Sequence, residues 1–146
     1  MTQTETKTAQ VRVTHRYDAP PETVFDAWLD PKVAGRFLFA TPTGQMIKAE
    51  IDPRVGGRFN FTDRRPDMGD VEHVGSYLEI DRPRRLVFEF AVPAYEATKT
   101  TVTIEIVASG SGSELTLTHD GVFEQYVTQT QHGWGMILES LGKALG

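Results

Sequence analysis

No cysteine occurs among the 146 residues of this sequence. That excludes disulfide staples, thiolate zinc sites and a cysteine nucleophile, and it fits a reducing, cytoplasmic compartment. Long apolar runs are missing too. None approaches the roughly 18 consecutive apolar residues that a membrane helix needs, and the opening MTQTETKTAQ has neither the basic stretch nor the apolar core of an export signal. We therefore expect a soluble chain with no membrane span, residues 1–9 forming a flexible tail. Positive charge is scarce: 15 Lys and Arg stand against 20 Asp and Glu, a net charge of −5. Domains that grip a phosphate backbone carry the opposite balance, so no nucleic-acid partner is expected. The local basic cluster Arg82, Arg84 and Arg85 is interrupted by Pro83 between two strand-like runs and reads as a solvated hairpin turn.

Signatures of common enzyme classes are absent as well. There is no GxSxG elbow, Walker loop or GxGxxG; Gly56-Gly57 reads as a hairpin turn, and Gly110 and Gly112 sit in a serine-rich turn. The four histidines, His15, His73, His119 and His132, form neither HExxH nor HxH, so no metal site and no cofactor is signalled.

What the chain does have is periodicity. VRVTHRY (11–17) alternates like a half-buried strand. Pro20 and Pro21 cannot continue a sheet ladder but suit the first turn of a helix, where a missing N–H costs little. In the helix so begun, Pro20 to Leu29, Val24, Phe25, Trp28 and Leu29 share one face; Asp30-Pro31 ends it and caps a second short helix through about Phe37. From Gln45 the period returns to two in segments 45–51, 57–63, 71–80, 85–92, 100–108 and 114–120, joined by turn chemistry. With the first strand this makes seven, an antiparallel meander with one apolar and one wet face. Glu72, Glu79, Glu89 and Glu105 fall on the wet face as solvated charges.

The apolar face needs a cover. From Gln125 on, Tyr126, Thr130, Trp134, Ile137, Leu138, Leu141 and Leu145 recur every three or four residues, a stripe along a helix of about 20 residues and about 30 Å. Gly133 and Gly135 each cost about 1 kcal/mol against alanine inside a helix. Either they mark a close backbone approach or a bend beside Trp134, or the helix begins later, near His132.

Alternation assigns to the apolar face Phe59, Phe61, Leu78, Ile80, Leu86, Phe88, Phe90, Val102, Ile104, Ile106, Leu115, Leu117 and His119. Trp28, Phe37, Phe39 and Trp134 join them from the helical segments. Such an aromatic set makes either a packed core or the wall of a small-ligand cavity. His119 is followed by Asp120, but neighbouring strand residues face opposite ways, so that carboxylate would not orient that imidazole.

The element order is strand, two short helices, six-stranded meander and long helix. It is accompanied by APPETVFDAWLDP (19–31), DPRVGGRFNF (52–61), VGSYLEIDRPRRLVFEF (74–90), LTLTHDG (115–121) and HGW (132–134) before an apolar helix. Together these resemble the START-like (SRPBCC) superfamily and, within it, bacterial homologues of the heat-shock protein 90 ATPase activator. The resemblance spans nearly the whole chain. It implies one α+β domain of the helix-grip (Bet v-like) fold, a curved antiparallel sheet wrapped around the C-terminal helix with a cavity between them. Similar proteins bind lipophilic or aromatic small molecules, act as aromatase/cyclases, or stimulate the chaperone's ATPase in a stress response. The eukaryotic activators do the last with an additional N-terminal domain, for which 146 residues leave no room. Where many members carry a tryptophan pair this chain has Phe37-Leu38-Phe39, which keeps the bulk but lacks the indole donors.

The leading expectation is a cavity for a small lipophilic or aromatic molecule lined by Trp28, Phe37, Phe39, Phe59, Phe61, Phe88, Phe90, His119, Trp134 and Leu138. The alternatives are a co-chaperone module acting through its surface, and a cyclase or lyase using His119 or Tyr77 as proton carrier. Exposed strand edges leave both a monomer and a homodimer open.

Overall fold

The computed structural model describes residues 8–38, 43–67, 69–93 and 96–145. Its elements run β1 (Thr8–Tyr17), α1 (Pro21–Ala27), α2 (Pro31–Phe37), β2 (Gln45–Ile51), β3 (Arg58–Arg65), β4 (Gly69–Asp81), β5 (Arg85–Val92), β6 (Glu96–Ser109) and β7 (Gly112–Phe123); a 3-10 turn (Glu124–Tyr126) then leads into α3 (Val127–Leu145). The seven strands form one antiparallel sheet in the order β1-β7-β6-β5-β4-β3-β2. Every neighbour from β2 onward is joined sequentially. The two short helices carry the chain from β1 at one edge to β2 at the other. The sheet is curved, and the arrangement is helix-grip. No helix among the described residues is long and apolar enough to cross a membrane.

The strand-to-helix switch works as its prolines dictate. Pro20 is extended, with φ −68° and ψ 158°, and Pro21 takes the first helical position. Asp30 caps α2, its carboxylate accepting from the Lys32 N–H at 3.0 Å. These helices and α3 lie on one face of the sheet, α3 over β1 and β7 with α1 and α2 alongside. Trp28, Phe25, Phe37, Phe61, Phe88, Leu86, Ile104, Ile106, Leu115, Leu117, Leu138 and Leu141 fill the space between, each under 2% exposed. Tyr17 ties helix to sheet: its buried hydroxyl donates to the Leu138 carbonyl at 2.7 Å.

One local expectation is corrected, and one open alternative is closed. Strict alternation assigns Leu78 to the apolar face, yet it is 46% exposed and Tyr77 is buried instead. The β4–β5 register shifts between Tyr77 and Glu79, so the extra residue of a β-bulge turns Leu78 outward before Ile80 returns to the core. The second concerns α3, which runs unbroken from Val127 through both glycines rather than beginning near His132. A Cβ added at Gly133 or Gly135 would meet nothing within 4 Å among the described residues, so neither glycine serves a close approach there. Burial of Trp134, Leu138 and Leu141 offsets their low propensity. Close approach does explain Gly75. It pairs with Phe59 across β3 and β4, and an added Cβ would stand 2.6 Å from the Phe59 ring.

Candidate functional site

No residue of α3 from Val127 to Gly133 is buried; the helix engages the core only from Trp134 onward. Beneath that standing-off start opens a cavity of about 410 Å³. Phe90, Ala91 and Val92 at the end of β5, Thr100 on β6, and His119, Gly121, Val122 and Phe123 at the end of β7 form its floor. Tyr126, Gln129 and Thr130 form its roof. The β5–β6 register shifts between Phe90 and Val92, which breaks the regular ladder at this end of the sheet. Gly121 has φ +86°, a conformation natural to glycine, and a Cβ there would touch the Thr100 methyl at 3.5 Å. None of the described lining residues carries a charge.

A hydrogen-bond chain stands at the inner wall. Trp134 Nε1 lies 3.0 Å from His119 Nδ1, and His119 Nε2 lies 2.7 Å from Thr100 Oγ1. An indole N–H can only donate, so His119 Nδ1 must be the bare, accepting nitrogen. In the neutral imidazole the proton then sits on Nε2 and is donated to Thr100. Burial pushes the His119 pKa down to about 4, with the nearby Asp120 charge opposing. The ring is also packed: its centroid is 5.3 Å from that of Phe90 and 5.8 Å from that of Trp134. Asp120 faces the other way and accepts from Gln10 Nε2 at 2.8 Å, as alternation requires.

The residues expected to line one site divide between two places. Phe90 and His119 line the cavity, and Trp134 stands behind His119. Trp28, Phe59 and Phe88 border a different void of about 10 Å³, together with Leu38, Tyr77 and Leu86. That is scarcely room for one water. Phe37 packs edge-on against Trp28 with centroids 5.1 Å apart, while Phe61 and Leu138 are wholly buried in the core. Phe39 lies outside the described residues. The Trp28 indole N–H is buried with no hydrogen-bond partner among the described residues. Tyr77 belongs to this packed region, and burial raises its phenol above the usual range.

Sequence reasoning did not pick out Thr100, Gly121, Val122, Phe123 or Gln129 as site residues, and it placed Tyr126 and Thr130 only on the covering stripe. The available signal was the end of the alternating run at Asp120-Gly121, followed by a helix start whose first seven residues carry only one apolar side chain, Val127. The basic hairpin, expected as a solvated turn, is an exposed and ion-paired surface. Arg82 holds Asp26 with contacts of 2.7 and 2.9 Å, Arg84 pairs with Asp81, and Arg85 bridges Glu79 and Glu105. His73 is buried, its Nδ1 3.2 Å from the Phe61 carbonyl oxygen, and desolvation pushes its pKa down to about 4.

The fold recurs among solved structures. A protein of unknown function from Staphylococcus aureus superposes with a TM-score of 0.85 at 15% identity, covering 98% of this chain and 96% of its own. An AHSA1-like protein from Aeromonas hydrophila gives 0.81 at 22% identity, with coverages of 94% and 92%. CalU16 from Micromonospora echinospora is 26% identical with a TM-score of 0.69, over 97% and 87%. No curated protein matches the chain significantly. The model of the family described as activator of Hsp90 ATPase homolog 1-like protein matches residues 18–146, nearly all of the sheet and every helix. The chain therefore belongs to the activator of Hsp90 ATPase homolog 1-like family.

Proposed function

We propose that the protein binds a small lipophilic or aromatic molecule in the cavity beneath the start of α3, in a reducing, cytoplasmic setting. The observation that carries this reading is a mostly apolar concavity of about 410 Å³ with one organised polar group, Thr100, at its inner wall. Small-ligand sites have this composition and size. His119 acts in this reading as a positioning residue. Both its nitrogens are committed, and its depressed pKa makes it a poor proton carrier at neutral pH.

The test is a thermal-shift series with fatty acids, flavonoids and neutral polycyclic aromatics on the wild type and on Thr130→Trp, which fills the cavity from its roof. A ligand at 100 times its dissociation constant stabilises by about 2.7 kcal/mol, a rise on the order of 5 to 10 °C for a domain of this size. A shift in the wild type that is lost in Thr130→Trp supports the reading; equal shifts in both, or none, count against it. The family description favours one further reading, contact with an Hsp90-type chaperone. Stimulation of such a chaperone's ATPase that survives Thr130→Trp would place that activity on the surface instead.

A further inference from the structure

We propose that the cavity selects neutral ligands bearing a carbonyl-type acceptor, through a hydrogen bond donated by the Thr100 hydroxyl. This deepens the cavity reading and rests on it. Hydrogen-bond valence sets the direction of each bond. The Trp134 indole can give a proton but not accept one, so its contact with His119 Nδ1 settles the histidine tautomer. The Nε2–H must then be given to Thr100 Oγ1, 2.7 Å away. A threonine hydroxyl that accepts from histidine keeps its own proton to donate, and Thr100 makes no other side-chain hydrogen bond among the described residues. Thr100 lines the cavity, so its remaining donor is available to an occupant. The chain from Trp134 through His119 polarises the hydroxyl in the donating direction.

The sign and charge of the preferred group follow from the surroundings. A ligand hydroxyl or amine acting only as donor could reach just the second lone pair of the Thr100 oxygen and would leave the Thr100 proton without an acceptor. A carboxylate would enter a cavity with no lysine or arginine among its described lining residues, at a desolvation cost that no described lining cation offsets. A ketone, ester or lactone oxygen accepts one bond without bringing a charge. Phe90, Val122 and Phe123 would take the apolar body.

Three probes of one shape separate the possibilities: 2-acetylnaphthalene, 2-ethylnaphthalene and 2-naphthoate, titrated calorimetrically against wild type, Thr100→Val and Thr100→Ser. The wild type should bind the acetyl compound about tenfold tighter than the ethyl compound, as one hydrogen bond allows, and the naphthoate more weakly than the acetyl compound. Thr100→Val should bring the acetyl-to-ethyl ratio close to one, and Thr100→Ser should keep it. Equal binding of acetyl and ethyl compounds by the wild type, or a ratio that persists in Thr100→Val, overturns the inference while leaving the cavity reading intact. Tightest binding of naphthoate does the same. If none of the three binds, the inference falls, and the thermal-shift series above decides the cavity reading separately. A ligand-free check uses nitrogen NMR of the imidazole: a proton on His119 Nε2 supports the chain, and a proton on Nδ1 overturns it.

Discussion

Two aromatic clusters, each holding one tryptophan, lie on the same face of one sheet and have opposite character. Around Trp28, the rings of Phe37, Phe59, Tyr77 and Phe88 interlock at 5.1 to 6.4 Å and leave a void of about 10 Å³. Around Trp134, the rings of Phe90 and His119 make contacts as close, yet they border about 410 Å³ of open space. Ring count and ring spacing do not separate the two. The difference comes from what lies over them. Trp28 is sealed by α1, α2 and the middle of the sheet, whereas Trp134 is the first buried residue of a helix whose preceding turn stands away from the strands. The polar atoms differ accordingly. The Trp28 indole N–H has no partner among the described residues, so that ring contributes apolar area; the Trp134 N–H fixes a histidine.

Mutation should expose this contrast most strongly at the packed cluster. Trp28→Ala is expected to destabilise by about 3–5 kcal/mol, because its neighbours already pack too closely to collapse into the space. Denaturant unfolding of Trp28→Ala beside Tyr126→Ala makes the comparison, since Tyr126 is 46% exposed at the cavity roof and should change stability far less. Equal losses would mean that the two regions are packed alike.

Acid should act on histidines in both halves of the sheet. His73 and His119 have folded pKa values near 4, below the unfolded value of 6.5, because burial disfavours their charged forms. Their contribution is thus fully present above pH 6.5 and is lost as pH falls toward 4, where only the unfolded chain has bound the protons. Each contributes a slope of up to about 1.4 kcal/mol per pH unit in that window. Equilibrium unfolding at several pH values should show it, and His119→Gln should remove about half of it. A flat profile between pH 6.5 and 4 would contradict the neutral, buried assignment.

A subtler change separates the ring of Trp134 from its N–H. Trp134→Phe keeps an aromatic ring but strands His119 Nδ1, and should cost about 1–3 kcal/mol. It should also raise the His119 pKa, followed by NMR titration, since a released ring is free to charge. The smallest effect is stabilising: Gly133→Ala meets open space and should add about 0.5–1 kcal/mol by helix propensity alone. A loss there instead would indicate that the start of α3 must bend.

The fold was largely legible because its determinants are local. Period-two runs, the Pro20-Pro21 switch and the Asp30 cap operate within a few residues, and each appears where its chemistry requires. Residues 1–7 lie outside the described set, and β1 begins at Thr8, within the stretch expected to be a tail. The one misassigned strand face, at Leu78, came from a bulge that inserts a residue without leaving a turn signal. The site was less legible because a cavity is a property of what fails to pack. Phe88 and Phe90 are equivalent in sequence, two residues apart on one strand and one face, yet Phe88 borders the packed void and Phe90 the cavity. Which neighbour covers each depends on where α3 touches down, and that is fixed by tertiary geometry at Trp134 rather than by any pattern within β5. Thr100 was invisible for the same reason. As one of many strand threonines, it acquires meaning only through a histidine 19 residues away.

The most direct test of the account is a nitrogen–proton NMR map of the protein titrated with 2-acetylnaphthalene. If the cavity beneath α3 is the binding site, the shifted amides should cluster at Thr100, His119, Gly121 and Thr130, with the Trp134 indole N–H among the most perturbed signals. Shifts centred on Trp28, Phe59 and Phe88, with Thr100 and Gly121 unmoved, would contradict it and assign ligand binding to the cluster around Trp28.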